Sequence, residues 1–339
     1  MRLRPFRVAD WPVVRRRRDE LMVDGFDLTP RFEQFTDWAH YVTYYAHSRF
    51  GVGLREGDWP AMMLVAEVDG TFVGTVGVRL VVDESRLPLA GHVGYAVFAP
   101  FRQRGYATEI LRQALIILRA EGVGRVLVAC HEDNLASARV IERCGGVLEE
   151  MVDFGRGVAD MRRYAIALPT ESLWLRPLRL GDEKSAREAH EEILPEDSEF
   201  LLNWSAAIPW ATYIERTRGE HRGENLGEGR VRGAFLAAAV GEELVGRASV
   251  RFSLNEWLAA WGGHIGYAVL GAHRRQGLAS EILRQALVLA RAEGVERVVM
   301  TCFDDNEGSA KVIERHRGVL NSTGLTNKWS GRMRRYYIA

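Results

Sequence analysis

The chain has 339 residues, room for more than one domain, and its 45 Lys and Arg residues balance its 45 Asp and Glu residues. A chain so balanced has no overall field to recruit nucleic acid or an anionic membrane, so neither is expected as a partner. Its three cysteines, Cys130, Cys144 and Cys302, lack the number and spacing of a disulfide framework or a metal knuckle, so no metal or redox chemistry is expected.

In chain order, Arg2 to Phe6 reads as a short strand, and Ala9 to Gly25 as a helix begun near Asp10 with Pro12 in its first turn. Arg15 to Arg18 are followed at once by Asp19 and Glu20, the mark of a solvated helix face. The opening segment lacks the apolar stretch of a leader, and no apolar run reaches the roughly 18 residues of a membrane helix, which predicts a cytoplasmic protein. A second helix is expected over Phe32 to Ser48, rich in aromatic residues such as Trp38, Tyr41, Tyr44 and Tyr45. Met62 to Val68 and Thr71 to Val82 flank Asp69-Gly70 and so predict a hairpin. His92 to Phe98 is the next strand. A turn leads from it into a long helix, Gly105 to Glu121, whose Ile110, Leu111, Ala114, Leu115 and Leu118 recur at helical spacing before Gly122. Arg125 to Cys130 reads as a buried strand and Asn134 to Arg143 as a short helix. Strands near Val147 to Val152 and Arg162 to Ala167 close the unit.

The same scheme is then written again. Gly91 to Leu148 and Gly263 to Leu320 match in register at an offset of 172 residues, as do Leu3-Arg4-Pro5 with Leu175-Arg176-Pro177 and Val73-Gly74 with Val245-Gly246. A period this long belongs to a duplicated domain rather than a solenoid, so domains are expected over 1–168 and 173–339 with a linker at 169–172. In the second copy the glycine-rich, charged stretch from Arg218 to Gly233 predicts a mobile loop.

Two motifs carry chemistry in each copy. The turns Arg102-Gln103-Arg104-Gly105-Tyr106-Ala107 and Arg274-Arg275-Gln276-Gly277-Leu278-Ala279 follow an apolar strand and open a helix, with Thr108 and Ser280 next in line. The middle glycine lets the backbone approach an anion closely, and the free amides of the helix start point at it. Downstream lie Asn134 with Ser137 and Asn306 with Ser309, which also suit an ordinary helix cap.

Together these residues resemble the GNAT superfamily of acyl-CoA N-acyltransferases over essentially the whole of both copies. The resemblance implies an α/β fold of two tandem GNAT domains. Each would be a mixed, mostly antiparallel sheet of about seven strands flanked by helices, with the fourth and fifth strands splayed. It implies acetyl-CoA as cosubstrate, its pyrophosphate on the amides of Arg102 to Thr108 and of Arg274 to Ser280. Val97 and Val269 would then serve the pantetheine arm and thioester carbonyl, and Asn134 and Asn306 the arm. The chain looks most like a bacterial branch with a Gly-His-Ile-Gly-Tyr strand and a terminal Arg-Arg-Tyr strand, here His92 to Tyr95 with Arg162-Arg163-Tyr164 and His264 to Tyr267 with Arg334-Arg335-Tyr336.

The expected reaction is direct attack of an amine, from a small molecule or a protein amino terminus, on the thioester. The alternative is an acyl-CoA-binding protein in which one or both copies do not turn over. Many members of the superfamily carry a tyrosine on the helix after the Asn to protonate the leaving thiolate, but this chain has Ile141 and Ile313 there. For the general base, the candidates are His92 and His264, because histidine titrates in the right range, and then Glu84 and Glu256 acting through water, with Tyr95 and Tyr267 nearby. Duplication on so short a linker predicts an intrachain pseudo-dimer that is a monomer in solution.

Overall fold

The computed structural model describes residues 1–339 apart from 24, 84–90, 154–159, 168–169, 195–198 and 326–330. Two compact units emerge, Met1–Leu168 and Pro169–Ala339. No helix among the described residues is long and apolar enough to cross a membrane.

In the first unit, strand β1 (Arg2–Pro5) leads through a 3-10 turn at Val8–Asp10 into helix α1 (Trp11–Val23). Helix α2 (Trp38–Ser48) starts six residues later than its aromatic content suggests, because the Asp37 carboxylate accepts the His40 amide at 2.8 Å and fixes the cap there. Phe32 to Gln34 form only a 3-10 turn ahead of it. Strands β2 (Ala61–Val68) and β3 (Thr71–Arg79) meet at Asp69 (φ 47°) and Gly70 (φ 78°), the paired left-handed residues that a tight hairpin requires. Strand β4 (Val93–Val97), helix α3 (Tyr106–Ala120), strand β5 (Arg125–His131), helix α4 (Leu135–Arg143) and strands β6 (Gly146–Val152) and β7 (Met161–Ala167) follow.

The second unit repeats the order: β8 (Leu173–Arg176), α5 (Glu183–Ile193), α6 (Trp210–Arg222), β9 (Gly233–Val240), β10 (Glu243–Arg251), β11 (Ile265–Val269), α7 (Leu278–Ala292), β12 (Val298–Phe303), α8 (Glu307–Arg315), β13 (Val319–Leu325) and β14 (Arg332–Ile338). The stretch expected to be a mobile loop is partly helical. Helix α6 runs through Arg222 and is closed by Gly223 at φ 80°, and the turn beyond is pinned by ion pairs from Arg230 to Glu220 and from Arg232 to Glu293.

Among the described residues each unit holds seven strands in two groups. The orders are β1-β2-β3-β4 and β5-β7-β6 in the first, and β8-β9-β10-β11 and β12-β14-β13 in the second, with every ladder antiparallel. The sheet therefore opens between its fourth and fifth strands. The long helices, with their buried stripes Ile110, Leu111, Ala114 and Leu118 in α3 and Ile282, Leu283, Ala286 and Ala290 in α7, pack on the first strand group of their units, α3 against β3 and β4 and α7 against β8, β10 and β11.

What keeps the two groups together is a short bridge at the base of the opening. The His92 amide donates to the Leu127 carbonyl at 2.7 Å, and the Leu127 amide donates back to His92 Nδ1 at 3.0 Å. The second unit has the same pair between His264 and Val299, at 2.7 and 2.9 Å. Convergence is so tight that the residue before each histidine must lack a side chain. A Cβ on Gly91 would lie 3.1 Å from the Leu127 carbonyl oxygen, and one on Gly263, itself at φ 68°, would lie 2.7 Å from the Val299 carbonyl oxygen. Gly263→Ala should therefore lower the unfolding free energy by about 1–3 kcal/mol in urea titrations, and Gly91→Ala by less, because only the former adds backbone strain to the clash.

Candidate active site

In both units the opening ends at the turn that begins the long helix. Gln103 and Gly105 (φ 61° and 79°) and Arg275 and Gly277 (φ 66° and 82°) take left-handed conformations, which roll the backbone so that successive amides face one side. Gly105 and Gly277 are the cap residues of α3 and α7, and no side chain caps either helix. The first-turn amides of Tyr106, Ala107 and Thr108, and of Leu278, Ala279 and Ser280, begin helices that lack any side-chain acceptor at the cap. A Cβ built on either glycine meets nothing within 4 Å, so the space before the helix is open. This is a cradle fitted to a phosphate or pyrophosphate. The arginines that start the turns brace it: Arg102 Nε and Arg274 Nε each donate at 3.0 Å to the carbonyls of Val97 and Val269. Gln276 bonds the Ala272 carbonyl at 3.2 Å, whereas Arg104 lies over the Phe101 ring.

At α4 and α8 the helix starts are of the ordinary capped kind. Asn134 Oδ1 and Asn306 Oδ1 accept the amides of Ser137 and Ser309 at 3.0 and 2.9 Å, so both caps are formed, and the amide nitrogen of each side chain remains a donor. In the second unit Asn306, Ser309 and Val269 lie on one cleft of about 1090 Å³ with Arg274, Arg275, Gly277, Leu278, Ala279 and Ser280. The cradle, the strand end and the asparagine are thus brought together. Ser280 Oγ also lies 2.9 Å from His316 Nε2, where the first unit has Cys144 against the Thr108 carbonyl.

The base candidates fare differently. Both histidine rings are held in the bridge, with Nδ1 accepting a backbone amide, so the proton of the neutral ring sits on Nε2. His264 is 8% exposed and does not lie on the cleft wall, and burial holds its pKa down to about 4. Proton uptake at Nδ1 would break the bridge, so this geometry gives the pair a structural task in place of base catalysis. Glu256 is exposed beside the π-helical turn Leu258–Gly262 and is not a cleft residue, although its neighbours Trp257 and Trp261 are. Glu84 lies outside the described residues.

One wall of the cleft is built from residues that no sequence motif marks. Glu199, Arg247, Ser249 and Arg251 line it, three of them on alternate positions of β10. Glu199 is the only carboxylate among the described lining residues, and its Oε2 accepts the Asn203 amide at 2.9 Å. The 172-residue register pairs Glu199 with Asp27, so both copies carry an acid there, a signal available in the sequence. Tyr267 also lines the cleft. Its hydroxyl is buried without a bond of ordinary length, and burial pushes its pKa up to about 12. The matching Tyr95 hydroxyl makes a long bond, 3.5 Å, to the Ser137 carbonyl. Cys302 is a buried thiol raised to about 11 by burial, so it is no ready nucleophile.

Comparison with known proteins adds the following. The acetyltransferase (GNAT) domain model matches residues 1–147, and the acetyltransferase (GNAT) family model matches residues 192–319. Among solved structures, RimJ of Mycobacterium smegmatis in complex with CoA-disulfide is 16% identical with a TM-score of 0.38, the match covering 50% of this chain and 83% of that one. An N-acetyltransferase from Staphylococcus aureus Mu50 is also 16% identical, with a TM-score of 0.36 and coverage of 50% and 98%. The microcin C7 self-immunity acetyltransferase MccE, in complex with acetyl-CoA and AMP, is 18% identical with a TM-score of 0.33 and coverage of 47% and 84%. No curated protein matches the chain in sequence.

The histidine bridge generates a pH prediction. His264 is bound neutral in the fold and titrates freely near 6.5 when unfolded, so the unfolded chain takes up more protons between those values. Its share of stability should be complete above pH 6.5 and be lost as pH falls through about 4, on the order of 3 kcal/mol in all. Urea unfolding of His264→Gln should show a flatter pH dependence across that window than the parent protein.

Proposed function

Since the chain belongs to the GNAT superfamily of acyl-CoA N-acyltransferases, we propose that each unit binds acetyl-CoA in its own opening and transfers the acetyl group to an amine. The observation that carries this reading is the uncapped, glycine-started helix aimed into the gap between two splayed strands, present in the same form twice. Acetyl-CoA supplies an activated acyl carbon, so the protein's task is to position, polarise and move protons.

In the second unit the residues divide that task. The amides of Arg275 to Ser280 hold the pyrophosphate, and the Asn306 amide nitrogen donates to the arm. Val269, at the end of β11, offers its backbone to the thioester carbonyl, where negative charge grows as the amine adds. Glu199, the carboxylate among the described residues of the cleft wall, takes the proton that the amine must lose. The C–N bond forms as the C–S bond breaks, and the departing thiolate accepts a hydrogen bond from the Tyr267 hydroxyl before taking a proton from solvent. Tyr267, with its raised pKa, remains a donor throughout. This places a phenol from the fourth strand where Ile313 leaves the helix without one. The first unit has the corresponding Asp27, Tyr95, Val97 and Asn134.

Calorimetry and thiol release test the reading together. The intact chain should bind two equivalents of acetyl-CoA, Gly105→Glu or Gly277→Glu should each leave one, and the double variant none, because the new carboxylate fills the cradle and repels phosphate. Retention of two sites in the double variant would refute the cradle assignment. Binding without thiol release across a broad amine panel would reduce both units to binding modules. On an accepted amine, Tyr267→Phe in a Gly105→Glu background should lower kcat by about tenfold, the scale of one lost hydrogen bond to a developing charge.

A further inference from the structure

Arg247 is charged, buried and unused by the transfer described above. It stands on β10 at 6% exposure, and among the described residues its guanidinium makes one hydrogen bond, from Nη2 to the Glu199 backbone carbonyl at 2.8 Å. Nε is buried with no partner, and among the described residues no carboxylate pairs with the group. Burial lowers its pKa to about 10, so it stays charged at neutral pH. Arg251, on the same face of the strand, adds like charge, and its guanidinium donates to the Gly263 carbonyl at 3.1 Å. A buried guanidinium without an anion is costly to any fold. The fold does not need it: the first unit has Thr75 at the equivalent position, fully buried, with its hydroxyl on the Leu64 carbonyl. The cation therefore has its use in the cleft that it lines.

We propose that the second unit acetylates a zwitterionic aminocarboxylate, whose carboxylate is received by Arg247 and whose amine is placed at the Glu199 side chain. This assignment rests on the reading of the unit as an acetyltransferase. Arg247 Nε with its neighbouring Nη presents the planar fork that matches a carboxylate. Glu199 supplies both the carbonyl that orients the fork and, through its side chain, the carboxylate that meets the ammonium end, so a single residue sets the distance between the two charges. Trp257 and Trp261 line the same cleft and offer an apolar surface to the rest of the acceptor. A phosphate on the acceptor would answer the same charge, and the test separates the two.

The intact chain carrying Gly105→Glu, so that turnover reports the second unit, is assayed with L-phenylalanine, phenylalaninamide and O-phosphoethanolamine, with and without Arg247→Thr. The replacement is the residue the first unit already accommodates. Calorimetry measures phenylalanine binding to both proteins in the presence of CoA. The ratio of kcat/KM for phenylalanine to that for its amide should fall on the order of 100-fold in Arg247→Thr, mainly through KM, and comparing each amine across the two proteins cancels the amines' different basicities. Arg247→Lys, which keeps the charge without the fork, should recover part of the ratio. An unchanged ratio, or no phenylalanine binding that depends on Arg247, overturns the proposal. An Arg247-dependent response confined to O-phosphoethanolamine overturns the carboxylate assignment. If phenylalanine binds through Arg247 but no amine releases thiol, the transfer reading fails and the anion subsite stands.

Discussion

The architecture of both units depends on a sheet that must be open and continuous at once. An antiparallel ladder continued across the fourth and fifth strands would leave no room for a long, thin cosubstrate, and two separate sheets would leave the cleft walls unregistered. The reciprocal pair between His92 and Leu127, and between His264 and Val299, resolves this by closing the gap at one end only. An imidazole nitrogen takes the place of a carbonyl in the ladder, so the fourth strand can turn away above it while the buried amide below stays satisfied. Everything beyond the bridge, from the left-handed cradle to the capped asparagine helix, is positioned by the angle it sets.

Comparison of the two units separates what the fold requires from what the acceptor side allows. The bridge, the arginine brace of the cradle and the asparagine cap recur with distances that agree within about 0.1 Å. Trp38 and Trp210 likewise both tie the second helix to the first turn, through the Arg7 and Arg179 carbonyls at 3.0 and 3.1 Å. On β3 and β10, by contrast, Thr75 faces Arg247 and Gly77 faces Ser249 in the alignment, a change from small and neutral to polar and charged on the cleft face. This strand face has diverged while the bridge and the helix starts have been held.

Much of this was legible in the sequence. Offset repetition, the Asp69-Gly70 hairpin and the amphipathic spacing of α3 are local signals, and each of these elements appears at nearly the expected residues. The turn geometry was legible because a glycine after a charged turn and before an apolar helix, written twice in register, marks a left-handed helix start, and Gly105 and Gly277 take that conformation. Tertiary placement was not. His92 and His264 read as candidate bases because titration range is a property of the residue type, whereas their partner amides lie 35 residues away on another strand. Arg247 and Arg251 alternate with Ala248 and Val250, a pattern that fits a solvated strand face as well as a cleft, and only packing distinguishes the two. Helix α2 shows the same limit on a smaller scale, since the Asp37 cap overrode an aromatic run that could have begun the helix at Phe32.

The unbroken 172-residue register places two coenzyme cradles on one polypeptide, and that has a consequence for dosage. Separate genes allow a cell to vary the ratio of two transferases, but here transcription, translation and degradation act on both clefts alike. The number of first clefts equals the number of second clefts at every expression level.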